Sequence, residues 1–298
     1  MRVTFGSMHR NATAGIEAAA ERLSSLQRQV SSGKRMEKPS DDPSATLGAI
    51  GERNESATID QYKRATDTVG SRLSVIDTVL SDLINQVTAA QVAAAGARGT
   101  TKTQIQRDAI ATDLEGIRDT VFADLNASFG GTYLFAGIAS TAPAYTRTPG
   151  GPISAYAGST QEMEVDVDAT RSVKVAFNGL QLAQGADATD IFTEFDSLIA
   201  AVRAGNAPGI DAGRAALDRM FDRVSTSQGR VGADMRTIDE QKLRLGEMRR
   251  ASGTRLASLE DANMAEAISG MTQADAAYRA ALGAASTVTK QSLMDYLR

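Results

Sequence analysis

The stretch from residue 62 to residue 94, YKRATDTVGSRLSVIDTVLSDLINQVTAAQVAA, decides the fold. Its apolar residues recur alternately three and four positions apart, a spacing typical of helices that pack along a coiled-coil-like seam. The seam consists of Tyr62, Thr66, Val69, Leu73, Ile76, Leu80, Leu83, Val87, Ala90 and Ala94. No proline interrupts residues 44–142, and Asp42-Pro43 has the pattern of an N-cap followed by a first helical residue. We therefore predict one long helix from Pro43 to about Arg98.

Similar spacing predicts helices in both halves of the chain. A first seam ends at Gly33, and a third helix contains Ile110, Leu114, Ile117 and Val121. After Pro208, a seven-residue register runs through Leu217, Val224, Val231, Ile238, Leu245, Ser252 and Leu259. The last seam is made mostly of small residues, so a partner helix can approach it closely. The pattern favours a mainly α fold: a long coiled-coil-like helical rod from both chain halves, with a small β-rich inserted domain.

The inserted domain is predicted from residues 130–186, where Gly, Pro and Thr are frequent. Met163, Val165 and Val167 alternate with acidic residues, and a second alternating run ends just before Asn178-Gly179. This period of two, followed by an Asn-Gly pair, predicts β-hairpins with a turn at Asn178-Gly179. Because Pro143, Pro149 and Pro152 indicate surface turns, we expect this segment to tolerate shortening better than the chain ends do.

The composition provides few residues that could form a catalytic or metal site. The chain has no cysteine and one histidine, His9, so it can build neither a zinc–cysteine site nor a multi-histidine site. Helix capping accounts for the adjacent carboxylates Asp41 and Asp42. The net charge of −4 and the lack of a long apolar run favour neither nucleic acid nor membrane as a partner. We expect no catalysis, no metal and no cofactor.

The two terminal seams are predicted to form an assembly interface. Neither helix can bury its apolar stripe alone, so the two either pair with each other or bind neighbouring subunits. The predicted interface residues are Ile16, Leu23, Leu26, Val30, Met271, Ala274, Tyr278, Ala281, Leu282, Ala285 and Val288.

Four motifs carry a resemblance to a known family. The segments Ser31–Arg35 and Lys38–Pro43 (SSGKR and KPSDDP) resemble the N-terminal motif of flagellins and their junction relatives. The Pro-Ser-Asp-Asp-Pro form is more similar to the hook-associated protein 3 family than to flagellin. Residues 133–137 (YLFAG) and 258–267 (SLEDANMAEA) and the tail at 292–297 (SLMDYL) agree with this.

The resemblance implies a specific architecture and set of partners. Residues 1–42 and 258–298 would form terminal helices in an inner coiled-coil layer, 43–134 and 187–257 a helical rod, and 135–186 a β-rich outer domain. It further implies unfolded export through the flagellar type III apparatus, an export chaperone, and a place at the hook–filament junction. The implied partners are the second hook-associated junction protein, flagellin and copies of this chain.

The sequence therefore predicts a structural adaptor that joins hook to filament. Two alternatives stay open: flagellin itself, which polymerises without limit, and a cytoplasmic signalling coiled coil with an inserted sensor domain.

Overall fold

A computed structural model describes residues 5–36, 38–99, 102–148, 151–168 and 171–296. Seven helices and four strands follow one another over these residues. They are α1 (Phe5–Ser32), α2 (Pro43–Ala97), α3 (Gln104–Leu125), β1 (Ser128–Phe129), β2 (Thr132–Tyr133), β3 (Met163–Asp168), β4 (Arg171–Ala176), α4 (Gly179–Ala183), α5 (Ile191–Ala204), α6 (Ala207–Glu260) and α7 (Met264–Tyr296). The predicted mainly α fold with a small β insertion is confirmed.

The chain forms two compact units. The central unit spans Ile59–Glu247, and the terminal unit takes its residues from Met1–Thr58 and Met248–Arg298. Helices α2 and α6 contribute to both units. Every α2 seam residue from Thr66 to Ala94 is buried, as are the α6 register residues from Leu217 to Ser252. The helical seams predicted from apolar spacing are therefore the seams that the folded chain buries.

Local sequence sets where the helices begin and end. The backbone N–H of Ala45 donates to Asp42 Oδ1 at 3.0 Å, so Asp42 caps α2 as predicted. Thr103 and Gln106 form a capping box at the start of α3. Helix α5 begins after Asp190, which accepts from the Phe192 N–H, and ends at Gly205, whose φ of 67° suits a residue without Cβ.

The β segment is part of the central core. Both sheets are antiparallel two-stranded hairpins, β1–β2 and β3–β4, and Val165 pairs with Val173. Phe135 and Tyr145 are fully buried in the same apolar cluster as the α2 seam. The side chain of Asn126, at the end of α3, exchanges two 3.0 Å hydrogen bonds with the backbone of Tyr145. This packing argues against the expectation that the segment tolerates shortening.

The prediction of a hairpin turn at Asn178-Gly179 is wrong. The strands β3 and β4 join between Asp168 and Arg171 instead. Asn178 is the N-cap of α4, and its side chain accepts from the Leu180 N–H at 3.0 Å. An Asn-Gly pair suits both a tight turn and a helix start, because the Asn side chain can accept from backbone N–H groups in either setting.

Candidate functional site: the terminal helix pair

Helices α1 and α7 pack against each other within the terminal unit. Gly270 of α7 faces Leu26 of α1 so closely that a Cβ at Gly270 would lie 3.4 Å from Leu26 Cδ2. Ala267 and Ala274 are buried on the same helix, each 5% exposed. The small residues of the last seam thus allow the close helix approach that the sequence predicted.

The predicted interface residues are only partly covered by this pairing. Ala274 is buried, whereas Leu282 keeps 43% of its surface exposed. Ile16, Leu23, Leu26, Val30, Met271, Tyr278, Ala281 and Ala285 are all half-buried. The side chain of Val288 lies outside the described residues. The pair therefore brings the two stripes together and leaves apolar surface accessible along them.

The connection after α1 is tied to the break between α6 and α7. Lys34 and Asp261 form an antiparallel bridge, in which Arg35 N–H donates to the Glu260 carbonyl at 2.7 Å and Ala262 N–H donates to the Gly33 carbonyl at 2.9 Å. Gly33 has a φ of 71°, a conformation that favours glycine. The SSGKR motif thus ends α1 and places the next residues against the EDA segment at the end of α6.

Charged side chains reinforce this tie. Glu260 is nearly buried, and its carboxylate lies 3.0 Å from Lys34 Nζ and 2.5 Å from Arg53 Nη2. Arg35 donates to the Leu259 carbonyl at 3.1 Å and pairs with Asp42. The sequence alone predicts no role for Glu260 or for the cations that contact the end of α6, because Lys34 and Glu260 are 226 residues apart along the chain. The matching motifs at both ends were the only available sign.

Helices α2 and α6 are joined next to this tie by a polar cluster. Ser252 and Ser56 contact each other through their hydroxyls, and Ser252 donates to Glu52 Oε2 at 3.0 Å. Arg255 binds both Glu52, at 2.7 Å, and Glu55, at 3.0 Å. The hydrogen bond from Arg255 holds the pKa of Glu52 below its usual value. The cluster keeps α2 and α6 in register where α1 and α7 attach.

Titratable groups elsewhere serve the fold. In the part of the chain that the structure describes, no three His, Cys, Asp or Glu residues come together as a metal site. Burial raises the pKa of both Tyr145 and Asp190, whose side chains are hydrogen-bonded at 3.1 Å. Since Asp190 caps α5, this pair fastens that helix to the β segment. None of the helices among the described residues is long and apolar enough to cross a bilayer.

Comparison with known proteins finds relatives among bacterial flagellar proteins. Residues 6–140 match the family model described as the bacterial flagellin N-terminal helical region. Flagellar hook-associated protein 3 of Salmonella typhimurium is 28% identical over 265 residues, which cover 80% of this chain and 82% of that protein. The protein of the same name from Escherichia coli is 26% identical over 262 residues, 80% of this chain and 81% of that one.

Solved structures resemble the fold as well. Flagellar hook-associated protein 3 of Legionella pneumophila has a TM-score of 0.62 at 10% identity, covering 70% of this chain and 98% of that one. FlgL of Xanthomonas campestris, in one crystal form, has a TM-score of 0.61 at 15% identity, covering 68% of this chain and 98% of that one. At these identities the likeness concerns the fold alone.

Proposed function

We propose that this chain, a homologue of flagellar hook-associated protein 3 that carries the flagellin N-terminal helical region, acts as a structural adaptor between hook and filament. The relatives confirm the resemblance inferred from its motifs. They favour this function over that of flagellin, because the curated proteins that match along 80% of the chain are hook-associated proteins. A signalling coiled coil has no such support.

The observation that carries the proposal is the apolar surface that α1 and α7 leave partly exposed after they pack together. Leu23 and Met271 are half-buried, and Ile268 and Leu282 keep 46% and 43% of their surfaces exposed. Burying such stripes between subunits releases on the order of 25 cal/mol for each Å² of apolar surface removed from water. Assembly therefore gains free energy from side chains that the isolated chain leaves partly hydrated. The chain needs no reaction to do this, and we propose that it is not an enzyme.

The proposed partners are the second hook-associated junction protein, flagellin and further copies of this chain, with an export chaperone before assembly. The chain is secreted in this proposal and resides at the hook–filament junction. Within it, residues 1–42 and 258–298 serve as the inner coiled-coil layer. Residues 43–134 and 187–257 serve as the rod, and 135–186 as the outer β-rich domain.

Deletion and labelling in the organism that encodes the chain test the proposal. Cells without it should keep hooks, lack filaments and release flagellin into the medium, because the surface that accepts the first filament subunit is missing. An epitope-tagged copy should restore filaments and label the hook–filament boundary. Label along the whole filament, or normal filaments in the deletion strain, would refute the adaptor function.

A seeding experiment separates the adaptor from a filament subunit. A filament subunit presents complementary surfaces at both ends, so identical copies add without limit. An adaptor has one end shaped for a different protein. Purified chain added to filament fragments at high concentration should therefore form no long filaments, whereas flagellin added to the same fragments as a control should extend them.

A further inference from the structure

A cationic cavity lies beside the tie between α1 and α6. It has a volume of about 280 Å³ and opens between the residues that follow α1 and the first turns of α2. Lys34, Lys38 and Arg53 line it, together with Glu260. Glu260 is nearly buried and forms ion pairs with both Lys34 and Arg53, so the described lining holds one carboxylate and three cations. The described lining residues therefore carry an excess of two positive charges.

The two described aspartates that follow Lys38 do not supply the missing charge. The carboxylate of Asp41 accepts the backbone N–H of Lys38, and that of Asp42 caps α2 and pairs with Arg35. Neither of these two aspartates lines the cavity. Among the described residues, the Lys38 ammonium has no carboxylate within ion-pair distance. Within the described part of the lining, positive charge is thus left for a ligand to compensate.

The cavity also has apolar lining residues. Met36, Pro39 and Ile50 line it, and Ile50 keeps 47% of its surface exposed. Leu47, one helical turn before Ile50 on α2, is 72% exposed and extends the apolar surface beyond the cavity. A small inorganic anion would leave these apolar side chains uncovered. A ligand that matches both the cationic and the apolar lining residues has a carboxylate next to an apolar side chain.

We infer that this cavity receives an acidic segment of a neighbouring axial subunit, with a carboxylate against Lys34, Lys38 and Arg53 and an apolar side chain against Met36, Pro39 and Ile50. The inference rests on the proposed function, since it places the chain among other subunits. Charge complementarity identifies the occupant as acidic, because a neutral or basic segment would leave the excess positive charge uncompensated. The backbone tie at Gly33 and Ala262 holds Lys34 beside Glu260 before the partner arrives.

Photo-crosslinking in assembled flagella tests the occupant. A benzophenone amino acid in place of Ile50 should crosslink to a peptide that contains Asp or Glu next to an apolar residue. The same amino acid in place of Leu243, which is 73% exposed on α6, is the matched control and should not capture that peptide. Capture of a peptide without acidic residues, or no crosslink at Ile50 in labelled junctions, would overturn the inference.

Charge reversal gives an independent measurement. Lys38→Glu should lower the Ile50 crosslink yield by about tenfold or more, because a like charge then faces the incoming carboxylate. Lys63→Glu reverses another exposed lysine, on α2 outside the cavity, and should leave the yield unchanged. An unchanged yield with Lys38→Glu, while the tagged protein still labels the junction, would overturn the cavity's role and leave the adaptor function standing. Absence of wild-type label from the flagellum would instead refute the adaptor function.

Discussion

The hydroxyl oxygens of Ser56 and Ser252 lie 2.9 Å apart in a buried contact between α2 and α6. Ser252 occupies a position of the α6 register that is otherwise filled by leucine, isoleucine and valine. Because each hydroxyl can satisfy the other only when the two helices are aligned, the pair specifies their register.

Removing one hydroxyl of this pair should destabilise the terminal unit. Ser252→Ala removes the buried hydroxyl partner of Ser56 and one hydrogen bond to Glu52, which keeps its ion pair with Arg255, at a cost of about 1–2 kcal/mol. The double variant Ser56→Ala/Ser252→Ala should cost less than the sum of the single changes, since neither helix then keeps an unpaired hydroxyl. Hydrogen exchange of residues 43–58 and 248–260 measures this, with exposed Ser74→Ala as control. Additive effects would show that the hydroxyls are not coupled.

A carboxylate in either terminal seam should prevent assembly and spare the central core. Leu23→Asp and Met271→Asp put a charge into half-buried positions of the α1–α7 pair, where an unpaired carboxylate costs several kcal/mol once a neighbour covers it. The exposed positions Ala18 and Gln273 provide matched controls as Ala18→Asp and Gln273→Asp. We expect the seam variants to keep the wild-type melting transition of the central unit and to fail to restore filaments. Normal flagellation would show that these faces are not in the contact.

The stability of the central unit should respond to pH through Asp124. Burial, and then the nearby charge of Asp82, raise the pKa of this carboxyl to about 6 from 3.8. Its Oδ2 atom is buried without a hydrogen-bond partner among the described residues. The pKa of Asp124 is higher in the folded state than in the unfolded state, so ionisation of this carboxyl lowers the free energy of unfolding. The loss is absent below pH 3.8, grows as the pH rises, and is complete above a pH of about 6.

Asp124→Asn should therefore stabilise the protein at pH 8 and change little at pH 4. We expect a gain of about 1 kcal/mol at pH 8, a value reduced for the solvent exposure of the group. Urea unfolding at the two pH values measures the difference, and exposed Asp113→Asn on the same helix is the control. Equal effects of Asp124→Asn at both pH values would contradict this origin of the cost.

The Asn126–Tyr145 contact should be needed for the β segment to stay in place. Asn126→Ala removes the hydrogen-bond partners of the Tyr145 backbone N–H and carbonyl groups. The side chain of Tyr145 is fully buried. Two unsatisfied buried groups cost about 2–5 kcal/mol in total. Urea unfolding compared with exposed Asn85→Ala measures this. A loss below about 1 kcal/mol would show that water replaces the side chain.

Much of the helical fold follows from the sequence because apolar periodicity reports burial directly. The α2 seam from Val69 to Ala94 and the α6 register from Leu217 to Leu245 are buried as their spacing predicts. Small residues at Ala267 and Ala274 likewise predicted a close helix contact. The interface residues of the two end helices stay a prediction, since their half-buried state fits a contact between subunits without testing it.

The remaining features depend on contacts between distant residues. No local pattern connects Arg35 with Glu260, and the bond between them uses backbone groups that every residue has. Tyr145 lies among prolines and glycines that are typical of surface turns, yet it is buried because the segment folds back onto the helices. Asn178 carries a pattern that fits two local structures, and packing around α4 selects the helix cap.

The tie between Gly33 and Ala262 also determines the order in which the chain can fold. The terminal unit needs residues up to Thr58 and from Met248 onward at the same time, whereas the central unit is continuous from Ile59 to Glu247. Closing so long a loop carries an entropic cost that is lowest once the intervening residues are compact. A growing chain can therefore complete the central unit first, and the surfaces that we propose for assembly form only after residues from Met248 onward have been added.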